Sequence, residues 1–434
     1  MFFKNLLQKI IKSKEVKNAG WLIIGKIIQM GINFFIGILT ARYLGPSNYG
    51  LINYAAAYVA FFFSVCTLGI NSIVVKEFID NPSKEGEILG TSLSLRGISS
   101  VFSAITIVAI SFVLDSNEPI TKIVVALYTI SLVFQIFDMF NYWFQSRLQA
   151  KYTAIASLIA YSITAIYKII LLATNQPVTL FALSTSVDYI SIALILFYFY
   201  KKEGGKKLSF SFKYGKSLLK KSYHFILPGL MVAIYGQTDK MMLKHMIDAS
   251  EIAYYATAVS LCSVWCFVLS AIIDSVNPSI MKAYQDNEKS FIKYNKILYF
   301  IVFYVSIFVS LMFTIFGKLI IKILFGEAYL PTAAPLRIIT WYTAFSYLGV
   351  ARNAWIVCKD RQRYLKYLYF SSAVLNVILN TVFIPEYGAV GAAIASLISQ
   401  ISTVIIVPFF IKDLKENSIM IVEAILFKGV KLIK

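Results

Sequence analysis

The sequence predicts an all-α integral membrane protein of about twelve transmembrane helices, arranged as two six-helix bundles related by a pseudo-two-fold axis along the membrane normal. Three observations carry this. The 434-residue chain is 58% hydrophobic and 15% charged, with a mean hydropathy of +0.71, too little charge to cover a soluble protein of that length. Apolar stretches of about 20 residues, the length that crosses the hydrocarbon core as a helix, recur throughout. Polar loop motifs of the first half reappear in the second at a nearly constant offset.

The first spanning segment runs from Asn18 to Ala41, and a second, Leu51 to Ile70, follows at once. Gly45-Pro46 turns the chain between them. Lys26, Gln29, Asn33, Gly37 and Thr40 fall at steps of three or four, which aligns them on one helix face. A charged side chain at the bilayer centre costs about 2.5 to 3.5 kcal/mol, so this face is expected to look into protein or a water-filled cavity. Leu93 to Leu114, Lys122 to Trp143, Thr153 to Ala173 and Thr179 to Tyr200 complete the first bundle, residues 1–200. Residues 201–222 are rich in lysine and read as a cytoplasmic linker. The second bundle, residues 223–411, holds Tyr223 to Lys244, Ala253 to Ile273, Ile297 to Phe316, Ala333 to Ile356, Leu365 to Phe383 and Ala389 to Ile411. Residues 412–434 read as an amphipathic helix on the inner surface.

Charge placement supports this count. With both termini cytoplasmic, the inner segments hold about 31 of the 41 Lys and Arg residues and the outer ones about five. That asymmetry accounts for the net charge of +19 without nucleic acid. The outer loops are short, the longest being Gly317 to Thr332, so no folded domain is expected outside. Met1 to Lys17 reads as a basic amphipathic segment rather than a cleaved signal. Cys66, Cys262, Cys266 and Cys358 lie in or beside apolar segments and read as small hydrophobes. His224 and His245 are too far apart for a metal cluster, and no cofactor is implied.

The internal repeat is clearest in Asn141-Tyr142-Trp143 with Arg147 and Lys151-Tyr152, which matches Asn353-Ala354-Trp355 with Lys359 and Arg363-Tyr364 at an offset of about 212 residues. Lys76 with Asp80-Asn81 matches Lys282 with Asp286-Asn287, and Leu44 to Gly50 resembles Ile247 to Ala253. Six helices per half give both halves the same orientation in the membrane, with a cavity expected between them.

No catalytic motif is present: no GxSxG, P-loop or HExxH, and no carboxylate pair in a large outer loop. The chain is therefore not expected to be an enzyme. Attention falls on polar groups inside the helices. Lys26 lies about 12 Å into its helix, where it either serves a cavity or snorkels to the inner surface. Asp188 is mid-helix and cannot snorkel, which leaves a functional or a structural hydrogen-bonding role. Asp239 is a candidate ion-coupling residue, against a buried structural ion pair, and Lys240 beside it points about 100° away. Arg42 and Arg96 sit at helix ends. Lys168, Arg337, Arg352, Asp138 and Asp274 lie close to helix ends, where an interfacial anchor competes with a cavity role. Asn376 and Asn380 are one turn apart and either line the cavity or hold helices together. Pro228 is an expected bending point. The cavity candidates are thus Lys26, Gln29, Asn33, Arg42, Lys168, Asp188, Lys240, Arg352, Asn376 and Asn380.

At Asn18-Ala19-Gly20-Trp21, Arg42-Tyr43-Leu44-Gly45-Pro46, Tyr49-Gly50, Gln237-Thr238-Asp239-Lys240 and Pro385 to Gly391, the chain resembles the oligosaccharide flippases. These are the Wzx-type exporters of O-antigen and other polysaccharides, in the superfamily that also holds multidrug-and-toxin exporters. The resemblance implies two bundles rocking about a cationic cavity. It implies movement of a polyprenyl-diphosphate-linked oligosaccharide from the cytoplasmic to the outer leaflet of the bacterial inner membrane. Expected partners are that lipid-linked oligosaccharide, membrane lipids and the polysaccharide polymerase machinery, with no nucleic acid. The alternative is a multidrug exporter of the same architecture, which needs acidic cavity groups. Here basic candidates at least equal acidic ones.

Overall fold

The computed structural model describes residues 14–428, apart from the side chains of residues 14–19, 22–24, 72, 227 and 228. Most of the basic segment Met1 to Lys17, together with Lys431 and Lys434, lies outside the described residues. Helices make up the described chain in the order α1 (Lys14–Thr67), α2 (Asn71–Asp80), α3 (Glu85–Leu114), α4 (Pro119–Phe134), α5 (Met139–Ser146), α6 (Ala150–Ala173), α7 (Val178–Ala182) and α8 (Ser184–Lys202). Then follow α9 (Phe212–Met246), α10 (Ala249–Asp286), α11 (Glu288–Phe325), α12 (Ala333–Ala351), α13 (Asn353–Cys358), α14 (Leu365–Ile401), α15 (Val407–Phe410) and α16 (Lys412–Ile425). No strand occurs among the described residues.

This is an all-α membrane protein. Among the described residues, eight helices are long and apolar enough to cross a bilayer. Two of them are bent at glycines with positive φ, Gly45 (φ 71°) and Gly388 (φ 55°), a backbone that a residue with a Cβ adopts only under strain. Each therefore carries the two expected apolar segments that flank its bend. Tyr223 to Lys244 and Ala333 to Ile356 lie on α9 and on α12 with α13, which fall short of the same criterion, so twelve crossings stays an expectation. Several helices also outrun the membrane. The 38 residues of α11 span about 57 Å, nearly twice the hydrocarbon thickness, so a polar end such as Glu288 to Lys296 must project. Asp248 and Asn287 cap the N-termini of α10 and α11 by accepting from backbone N–H groups at 2.7 to 3.1 Å.

Contacts divide the described chain into two compact units. One comprises the residues up to Leu44 and Tyr54–Ala233, and the other comprises Gly45–Asn53 and the residues from Ile234 onward. The core of the first gathers Val74, Phe78, Ile88, Phe140, Trp143 and Tyr200. That of the second gathers Ile280, Phe291, Leu298, Val302, Leu348 and Trp355. The repeated motifs make matching contacts in each. Arg147 forms a bidentate pair with Glu85, at 2.7 and 2.8 Å, and lies over the Trp143 ring. Lys359 pairs with Glu288 at 3.1 Å. Tyr152 donates to Glu203 and Tyr364 to Asp413, both at 2.5 Å.

Two segments, the linker and the tail, are held more closely than the sequence implies. The expected linker lies along α3: Ser209 N–H donates to the Gly86 carbonyl at 3.1 Å, Ser211 N–H to Thr91 Oγ1 at 3.0 Å, and Lys206 Nζ to the carbonyls of Pro82 and Ser83. A Cβ on Gly86 would sit 2.2 Å from the Lys207 carbonyl oxygen and one on Gly90 2.3 Å from that of Ser209. In the amphipathic tail, α16 turns Leu414, Met420, Ile421 and Ala424 into the second unit's own core, and Asn417 donates to Tyr299 at 2.7 Å. The apolar face expected to meet lipid is thus buried against protein.

Gly90→Ala should displace the 203–211 strap at a cost of about 1–3 kcal/mol, as overpacking does. A lower melting temperature and faster tryptic cleavage at Lys206-Lys207 would register it. The Tyr364 hydroxyl, then Arg361 and Arg363, hold the Asp413 carboxyl below the usual aspartate range. A depressed folded-state pKa stabilises docking above the ordinary value of about 3.9, and that contribution is lost as pH falls through the lowered one. Docking of α16 should therefore be independent of pH near neutrality and weaken only below about pH 4, read by tryptic cleavage after Lys412 and Lys415.

Candidate functional site

In the first unit, α1, α5 and α6 enclose a cavity of about 400 Å³. Its polar lining is Lys26, Gln29, Asn141, Gln145, Thr153 and Ser157. The helices meet beside it at small residues, since a Cβ on Gly25 would lie 3.3 Å from that of Ala154. Lys26 and Gln29 are one turn apart and face the same space. One cation is thus grouped with amides and hydroxyls, which can donate to and accept from a polar ligand. Asn33 and Arg42, farther along α1, are exposed and are not among its lining residues.

The other candidates of this unit lie elsewhere. Asp188 is buried on α8 and accepts from Thr164 Oγ1 of α6 at 3.3 Å. Lys168, one turn beyond Thr164, makes no hydrogen bond or ion pair among the described residues and is half-buried. Arg96 is 1% exposed and donates to Met139 Sδ at 3.2 Å and the Gln135 carbonyl at 3.3 Å. Asp138 accepts from Asn141 at 3.4 Å.

In the second unit, Asp239 of α9 is the centre of a buried network. Its carboxylate accepts from Asn380 Nδ2 at 2.6 Å, Tyr255 OH at 2.5 Å and Ser396 Oγ at 2.8 Å. These donors come from α10 and from both limbs of α14, on either side of the Gly388 bend. Asn376 Oδ1 accepts from Asn380 at 3.1 Å, so Asn376 and Asn380 join one cluster with Asp239. No ion pair involves Asp239 among the described residues, and Lys240 instead donates to Gln237 Oε1 at 3.1 Å. Asn380 Oδ1 is buried without a partner at the edge of this cluster.

Arg352, between α12 and α13, is 3% exposed. Its Nη1 donates to the carbonyls of Thr403 and Val404 at 3.1 and 3.4 Å. Pro408 has no N–H to offer the Val404 carbonyl four residues earlier, and the π turn at Ser402–Ile406 disturbs the ladder, so Arg352 supplies the missing donor. Arg337 and Asp274 are exposed, and Pro228 lies within α9.

The candidates therefore separate by unit: Lys26 with Gln29 in one cavity, Asp239 with Asn376 and Asn380 in a buried cluster. Sequence reasoning missed Asn141 and Gln145 as cavity residues, although Asn141 opens the repeated Asn-x-Trp motif. It also missed Tyr255 and Ser396, for which no local pattern gives a signal. A buried Asp115 that accepts from Tyr54 and Ser111 at 3.1 and 2.9 Å escaped as well. Asp239→Ala would strand three buried donors at about 1–3 kcal/mol each. It should lower the melting temperature of the purified protein, and less than additively with Asn380→Ala, because the two share one network.

Residues 16–284, more than half of the chain, match the family described as polysaccharide biosynthesis protein. Over 405 residues the chain is 23% identical to the capsular polysaccharide biosynthesis protein CapF of Staphylococcus aureus, with 92% of this chain and 99% of that one covered. The lipid II flippase MurJ, in an inward closed conformation, shares the fold with a TM-score of 0.68 at 17% identity, over 95% of this chain and 93% of that one. An inward-facing MATE-family multidrug resistance transporter of the MOP superfamily gives 0.66 at 14% identity, over 92% and 99%. With its helices, bends and repeated contacts set out, the chain belongs to the polysaccharide biosynthesis protein family, on a fold shared with transporters of the MOP superfamily.

Proposed function

We propose that the protein is a flippase that carries a polyprenyl-diphosphate-linked oligosaccharide from the cytoplasmic to the outer leaflet of the bacterial inner membrane. The observation that carries this reading is the first unit's cavity of about 400 Å³ with Lys26 among amides and hydroxyls. A diphosphate asks for a cation, and the sugars beside it ask for groups that both donate and accept. The volume lies in the range of about 300–1,000 Å³ typical of small-molecule sites. The family and the likeness to CapF, named for capsular polysaccharide biosynthesis, point the same way.

Energetics permit the direction. A diphosphate diester carries about two negative charges, so with the inside negative its outward passage is downhill by about 4–5 kcal/mol per 100 mV. Basic groups along the path replace the hydration that the diphosphate gives up. In this reading the chain makes twelve crossings in two six-helix bundles with both termini cytoplasmic, and Arg42, Lys168 and Lys240 are the remaining basic candidates for that task. Asp239 is the group at which a proton or sodium ion would exchange. Three neutral donors leave the carboxylate charge uncancelled, and the unpartnered Asn380 Oδ1 offers a further oxygen.

A strain lacking the protein should accumulate lipid-linked repeat units in the inner leaflet. A drug exporter, a polymerase or a scaffold would give no such accumulation. Lys26→Ala removes a charge-assisted contact of about 1.5–3 kcal/mol, which corresponds to roughly a ten- to hundredfold loss of substrate affinity. Export should fall in Lys26→Ala and in Asp239→Ala while both proteins remain in the membrane, and Lys26→Arg should retain more of it. Normal glycan export by both alanine variants would remove the cavity assignment.

A further inference from the structure

We propose that the second unit holds an oxyanion site for a single phosphoryl group, centred on Arg352. The site is separate from the Lys26 cavity and does not depend on the transport reading. Three features place it. First, Arg352 is buried, with 3% of its surface exposed, and no ion pair reaches it among the described residues. A guanidinium cannot shed its proton, so its charge has to be met where it sits. Second, the side chain divides its work. Nη1 alone serves the backbone, on the carbonyls of Thr403 and Val404. Nε is buried with no partner, and among the described residues the hydrogen bonds of this side chain come from Nη1. Nε and Nη2 form the edge with which arginine grips two oxygens of one phosphate or carboxylate side-on.

Third, there is room beside it. Arg352 lines a cavity of about 140 Å³ together with Tyr342, Ser346, Tyr369, Ser372 and Gln400. Ser372 Oγ is also buried without a partner. Hydroxyls and a side-chain amide can donate to an anion without bringing a competing negative charge. At about 30 Å³ per water, the space equals four to five waters. That admits one phosphoryl group and excludes a diphosphate with its sugar. A fully structural arginine would have its edge occupied by a carboxylate, and none reaches it among the described residues.

The shared chemistry, a phosphate monoanion or dianion, can come from free phosphate or from the phosphomonoester end of a lipid. The full-length protein, purified in a maltoside detergent, is titrated at constant ionic strength with inorganic phosphate in one arm and a short-chain alkyl phosphate in the other, and thermal unfolding is followed. A saturable rise in melting temperature with either probe is expected in the unmodified protein. It should vanish in Arg352→Gln and weaken at least threefold in apparent affinity in Ser372→Ala. A response to inorganic phosphate assigns the free anion, and a response to the alkyl phosphate alone assigns the lipid. Should Arg352→Gln fail to fold, Ser372→Ala and Tyr369→Phe decide. A loss of threefold or more in both upholds the site. No saturable response to either probe, or one that these variants leave unchanged, overturns it.

Discussion

Inside a bilayer no water completes an unfinished hydrogen bond, so every polar group among the helices depends on a partner from another part of the same chain. Asp239 shows what that demand builds. Its carboxylate draws donors from α10 and from both limbs of α14, and in doing so fixes α9 against a helix bent at Gly388. Arg352 answers the same demand from the other sign, since it caps carbonyls that Pro408 and a π turn leave open. In neither case does an opposite charge complete the arrangement among the described residues. A charge held by neutral dipoles alone is satisfied in geometry yet still attracts an ion, and this is where a binding role and a structural role meet.

The helix ends that carry the repeated motifs follow a different logic, since charges can pair there. Glu85 with Arg147 and Glu288 with Lys359 occupy matching places in the two halves, as do Tyr152 with Glu203 and Tyr364 with Asp413. Among the ties within each unit are thus an acid–base pair and a tyrosine–acid bond at matching places near a buried tryptophan. The Lys359–Glu288 pair is partly exposed and contributes little stability singly, while Glu85 of the other pair is buried, and the recurrence of both in register points to shared descent of the halves. The strap over Gly86 and Gly90 and the docked α16 add contacts of the same local kind, one to each unit.

The fold leaves the cargo open. MurJ and the MATE transporters share this architecture under different substrate names, and a fold hosts whatever chemistry its sites supply. In this chain the cavity of the first unit is described by the company of Lys26. A lysine among Gln29, Asn141, Gln145, Thr153 and Ser157 suits an anionic head joined to sugar. An organic cation would need the opposite charge there.

By itself the sequence determined the class of protein, because apolar length and charge placement are properties of each segment alone. It marked the apolar segments, the turn at Gly45-Pro46, and the repeat, whose signature residues are polar and therefore legible against an apolar background. It also singled out Lys26, Asp239 and Arg352, since an ionisable group in hydrocarbon is conspicuous wherever it occurs. Tertiary structure alone decided their company. Tyr255 and Ser396 stand 16 and 157 residues from Asp239, and Tyr and Ser are common enough in such helices that neither announces a role. Whether the tail's apolar face meets lipid or protein was likewise undecidable from a periodic pattern, because both surroundings are equally apolar. A helix records which of its faces is polar, and only packing settles what that face touches.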